Sequence, residues 1–151
     1  MTLLALKGST PAERVEAIQN LATYLLSMEK THPASLELTE HFCNGVYIRE
    51  LLIPAGTTLV GEEHLEDHLC IVLEGEIEIA SDDTVRTMYG GEILISKAGT
   101  KRAGYAIQDT RWLVVIASDK TDGEEIRQEK IKNPRDFGDK LCHSHSQQQQ
   151  L

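Results

Sequence analysis

Two periods divide the chain. Over residues 11–29 the apolar positions Val15, Ile18, Leu21, Ala22, Leu25 and Met28 form one stripe, with Glu13, Glu16, Gln19 and Asn20 mostly off it. That is the period of a helix. Its start is signalled by Thr10 as N-cap, by Pro11 at the first helical position, and by Glu13, which completes a capping box with Thr10. Thr31-His32-Pro33-Ala34 ends it and leads out through a loop. The stripe can cover a sheet face or serve self-association. About two heptads are too few for a coiled coil, so packing is favoured. The short apolar run before the helix, residues 1–8, can dock on a barrel edge or on a neighbouring subunit.

From Leu36 the period becomes that of strands. VYIRELLI (46–53) is one, closed by the turn Pro54-Ala55-Gly56-Thr57. LCIVLE and EIEIA follow, broken by a tight turn at Glu74-Gly75, and Ser81-Asp82-Asp83 makes a hairpin turn before 84–89. Further strands are expected at 92–96, 101–107 and 111–118, separated by Gly90-Gly91, Lys97-Ala98-Gly99-Thr100 and Gln108-Asp109-Thr110. Short strands at this regular spacing predict an all-β sandwich or barrel. After Asp119 the chain turns highly charged, with a short helix expected at 122–132 and stopped by Asn133-Pro134. The closing CHSHSQQQQL is polar and of low complexity, and is expected to be disordered.

Composition changes this picture little. At 151 residues, 40% hydrophobic and 26% charged, the chain suits one globular domain with extensions. A net charge of −9 argues against nucleic acid or an anionic membrane as partner. No apolar run approaches the ~20 residues needed to span a bilayer. MTLLALKG lacks the basic start and the apolar length of a secretory signal. Cys43, Cys70 and Cys142 are scattered, with no CxxC, as expected of reduced thiols.

The candidate chemistry lies just before LCIVLE. Glu62, His64, Glu66 and His68 share one parity, so an extended segment would send all four side chains from one face. Two imidazoles and a carboxylate (His64, His68 and Glu62) are a set that can hold Fe(II), Mn(II) or Zn(II). Glu63, Asp67 and the acidic tail read as solvated charge, and no nucleophile arrangement or phosphate loop stands out.

The spacing from Gly56 to Gly75 resembles the first motif of the cupins: Gly, five residues, His-x-His, three or four residues, Glu, six residues, Gly. Glu62 stands at the first His, His64 at the second, and His68 at the Glu. GEILISKAGTKRAGYA, from Gly91, is similar to the second motif, with Lys97 for Pro, Gly99 kept, Arg102 for His and Ala106 for Asn. The resemblance covers roughly residues 41 to 118. Through HFCNGVYIRELLIPAGT, GEEHLEDH and GTKRAGYAIQDT it resembles small cupin-like proteins of bacteriophage and prophage genomes, within the RmlC-like superfamily.

The resemblance implies a jelly-roll barrel over 41–118, after an N-terminal extension (1–40) carrying the amphipathic helix and before a charged extension (119–151). It implies a homo-oligomer pairing barrel edges, located in the host cytoplasm or the virion. Two non-enzymatic roles compete: a virion or tail-associated part that contacts other phage structural proteins, or capture of a small ligand. The alternative is a metal-dependent cupin enzyme of isomerase or dioxygenase type. Arg102 stands where cupins place a further metal ligand, and a guanidinium repels a cation. Beside His64 and His68 it is a natural seat for a small anion, unless Glu62 or Glu66 neutralises it internally. His41 lies outside the motif as a further imidazole.

Overall fold

The computed structural model describes residues 2–29 and 36–134, and the backbone alone of 142–144. Its strands are β1 (Glu37–Cys43), β2 (Val46–Ile53), β3 (Thr57–Val60), β4 (His68–Glu74), β5 (Glu76–Ala80), β6 (Val85–Tyr89), β7 (Ile93–Ser96), β8 (Ala103–Ala106), β9 (Thr110–Ala117) and β10 (Cys142–Ser144). They form two five-stranded sheets, ordered β1-β2-β9-β4-β7 and β10-β3-β8-β5-β6. Every pairing is antiparallel. The alternation along each strand decides what lies between the sheets. In β2 it sends Tyr47, Arg49, Leu51 and Ile53 inward, and in β9 Thr110, Trp112, Val114 and Ile116. With Cys70, Val72, Ile77, Ile79, Met88 and Ala106 these fill the barrel. Each buried aliphatic side chain there contributes roughly 1.5–3 kcal/mol against exposure.

The turn between β4 and β5 shows why a glycine stands in it. Gly75 has φ +106°, and a Cβ there would lie 2.4 Å from the Asp109 carbonyl and 2.7 Å from Thr110 Cα. Only a residue without a side chain lets the two backbones approach so closely.

The second sheet is covered on its outside. A 3-10 turn (Leu3–Gly8) and helix α1 (Pro11–Glu29) lie over it, burying Leu3, Ile18, Ala22 and Leu25 with Val60, Ala80 and Ala103. The capping box forms: Thr10 N–H donates to the Glu13 carboxylate, and Glu13 N–H to Thr10 Oγ1. Buried Glu78 of β5 accepts from Thr2 Oγ1 (2.6 Å) and Leu3 N (2.8 Å), which pins the 3-10 turn. The apolar stripe of the helix is thus spent largely on its own sheet. Val15 is its exposed exception, at 46%.

A second helix, α2 (Gly123–Lys130), is capped by Asp122, whose side chain accepts from Glu124 N and Glu125 N. Ile126 is fully buried and belongs to the barrel core. The boundaries expected from the sequence hold to within a few residues, with α2 shorter than 122–132. β1 is the harder case: all seven of its residues are exposed, so ELTEHFC shows little burial alternation to read. One expectation fails. In the tail expected to be disordered, the backbone of Cys142–Ser144 pairs with Thr57–Leu59 as β10. The expected loop Thr31–Ala34 and the tail beyond Ser144 lie outside the described residues.

Candidate functional site: a cationic pocket inside the barrel

The segment between β3 and β4 carries the candidate residues, and it is not an extended strand. It is drawn across the barrel end by the chain after α2. Leu65 N donates to Lys130 O (2.8 Å), Lys132 N to Glu63 O (2.9 Å), and His64 forms a bridge with Ile131. Gly99 N donates to His64 O and Gly61 N to Arg102 O, both 2.9 Å, so the segment is also tied to the loop before β8. Asp67 completes that tie by accepting from Ala98 N (2.8 Å) and Lys97 Nζ (3.3 Å).

These ties leave Glu66 off the common face expected of positions 62, 64, 66 and 68. Glu66 turns outward, 60% exposed, and pairs with Lys130 at 3.0 Å. The Glu62 carboxylate is deeply buried, but it pairs with Arg127 of α2 at 2.8 Å. A strand-period argument cannot see this, because the competing cations come from 64 and 65 residues further along the chain.

His64, His68 and Arg102 do meet. They line a cavity of about 80 Å³ inside the barrel, together with Arg49, Glu62, Cys70, Ser96 and Thr100. Its other walls are apolar: Leu51, Ile53, Leu59, Ile77, Ile79, Trp112 and Val114. The imidazoles stack, with centroids 3.8 Å apart and planes 24° from parallel. Burial pushes His64 down to about 3, helped by His68 and by the guanidiniums of Arg49 and Arg102; burial lowers His68 as well. Both are therefore neutral at pH 7, and the site's positive charge is guanidinium. Burial also raises the Cys70 thiol to about 11, so it is a thiol and not a thiolate.

Arg102 is the unusual member. Its Nη1 donates to Ser96 Oγ at 3.0 Å. Its Nε–H is shut off from water and meets no acceptor among the described residues. No described carboxylate pairs with it, since Glu62 and Glu66 are held by Arg127 and Lys130. Burial lowers its affinity for the proton, which Cys70, Asp83 and Asp82 only partly offset. A guanidinium stays charged regardless, so the pocket holds a cation that no described ion pair neutralises.

The metal set fits poorly. Glu62 is engaged by Arg127, and no three His, Cys, Asp or Glu side chains among the described residues converge as ligands. Imidazole lone pairs lie in the ring plane. Two near-parallel rings cannot both direct them at one ion about 2.0–2.1 Å from each nitrogen. His41 is elsewhere, exposed and bonded to Glu50 at 2.7 Å. Arg49 is the pocket residue the motifs did not mark. Its signal was available in VYIRELLI, where it shares the inward parity of Tyr47, Leu51 and Ile53.

No protein-family model matches the sequence, and no curated protein matches it. Solved structures do. Ectoine synthase from P. lautus is 18% identical with a TM-score of 0.52, over 69% of this chain and 81% of that one. An uncharacterized protein with a double-stranded β-helix domain from Klebsiella pneumoniae is 16% identical, at a TM-score of 0.50 over 59% and 77%. An RmlC-like cupin from Desulfovibrio desulfuricans is 30% identical, at a TM-score of 0.47 over 58% and 84%. The first two show the fold, a double-stranded β-helix. That is the jelly-roll barrel expected from the sequence.

Proposed function

We propose that the protein is a non-enzymatic cupin module that captures a small anion inside its barrel. The observation that carries this reading is Arg102, a cation within the barrel whose expected carboxylate partners pair elsewhere. Burying a charge is costly unless something meets it. An anion that takes the guanidinium meets its charge through charge-assisted hydrogen bonds. His64, His68 and Ser96 surround it with further donors.

Ligand capture is favoured over a virion or tail part for the same reason, since a purely structural shell gains nothing from a guanidinium within its core. The phage association rests on the resemblance of HFCNGVYIRELLIPAGT, GEEHLEDH and GTKRAGYAIQDT alone. A metal-dependent isomerase or dioxygenase is disfavoured because Glu62 is committed to Arg127 and the imidazoles stack. Calorimetric titration of acetate and inorganic phosphate into the protein and into Arg102→Ala tests the reading. Charge-assisted bonds of about 1.5–3 kcal/mol each imply at least a tenfold loss of affinity in the variant. Equal affinities, or tight binding of iron, manganese or zinc by the unmodified protein, would overturn it.

A further inference from the structure

Resting on that reading, we propose a ligand class for the pocket: a monocarboxylate with a short apolar body, its carboxylate at Arg102 and its body against Trp112. The division of the lining carries the inference. Register separates its polar and apolar parts: His68 pairs with Ser96 and Arg102 just precedes β8, whereas Trp112 pairs with Leu51 and Val72, and Ile77 with Ala106 at the far end of β8. The hydrogen-bonding groups therefore gather toward one end and the walls of Leu51, Ile77 and Trp112 toward the other. A hydroxyl placed against those walls would lose its water without gaining a partner, at a substantial cost. Sugars and other polyhydroxylated anions are therefore poor occupants, and a hydrocarbon body is a good one.

Charge and size narrow the class. Arg102 is the cation that no described carboxylate neutralises, so a single carboxylate balances it. With Nη1 given to Ser96, the rest of the guanidinium remains for a carboxylate. A cavity of about 80 Å³ has room for several waters, hence for a small molecule and not a long acyl chain. Gly104 adds to that room. A Cβ there would meet Ile77 Cδ1 at 3.3 Å and Leu59 Cδ2 at 3.5 Å, both pocket walls.

The chain's one tryptophan lies in this wall, so its emission reports occupancy directly. The experiment titrates the full chain with acetate, butanoate, hexanoate, butanamide and inorganic phosphate, following Trp112 fluorescence and heat. Affinity is expected to rise about fourfold for each methylene buried, with phosphate no better than acetate and butanamide at least tenfold weaker than butanoate. Gly104→Ala, which adds one methyl to the wall, is expected to weaken hexanoate more than acetate while the protein keeps a cooperative thermal transition.

Acetate and phosphate binding as well as hexanoate would overturn the apolar-body inference and leave the anion site standing. Butanamide matching butanoate would overturn both. Binding of none of these would sink the anion site itself.

Discussion

His64 is the residue whose environment makes the clearest demand. Its folded-state value near 3 lies below the ~6.5 of a free imidazole. Between those values the unfolded chain holds a proton that the folded chain refuses, so stability is complete above about pH 6.5 and falls as pH drops toward 3. Paired carboxylates such as Asp67 and Glu92, also lowered, add to acid lability in the same direction. Comparison with His64→Gln isolates the imidazole. The variant's urea midpoint is expected to depend less steeply on pH between 6.5 and 4, and parallel profiles would show that His64 is not excluded from protonation. The strengthening of anion binding near pH 6.5 that free imidazoles would supply is not expected of the empty pocket. The site was half legible in the sequence at this scale. Motif spacing marked His64, His68 and Arg102, whereas Glu62 was claimed by Arg127, a partner no local pattern reveals.

Among the elements, α1 was readable to the residue because capping box, proline and stripe all agree. α2 was readable as a helix but not as part of the core. GEEIRQEK has one aliphatic residue, and a single inward position gives no periodicity to detect. Yet Ile126 is fully buried against the barrel and Ile131 nearly so. Their helix also supplies Arg127 to Glu62 and Lys130 to Glu66. The charged segment is therefore a clamp on the segment that carries His64. Ile126→Ala is expected to cost about 2–5 kcal/mol in chemical unfolding, as a truncation inside a core does. The whole molecule should still unfold in one transition. A cost below about 0.5 kcal/mol, the level of a surface change, would show that α2 is only laid on the barrel.

At the scale of the whole molecule the two sheets are treated unequally. The second is roofed by α1, while the outer face of the first carries Leu69, Leu73, Ile93 and Ile95 at 38%, 53%, 60% and 60% exposure. Register places Leu69, Ile93 and Ile95 beside Ile71, Leu113 and Val115, and Leu73 follows Ile71 two residues on along β4. Monomers rarely expose a contiguous apolar patch beyond a few hundred Å². Arg111 nearby is already paired with Glu50 (2.8 Å) and Glu74 (3.1 Å), so that border adds little net charge. In a chain of net charge −9, an apolar face is one on which two copies repel little. The helix stripe, by contrast, is already covered, which leaves it little surface for assembly. Light scattering at micromolar concentration is therefore expected to give at least a dimer. Replacing Ile93 and Ile95 together by Glu should shift it toward monomer without lowering the unfolding midpoint of the monomeric form, because both side chains are mostly exposed. A monomer mass for the unmodified protein across that range would refute the pairing. A multimer indifferent to the double substitution would move the contact to another surface.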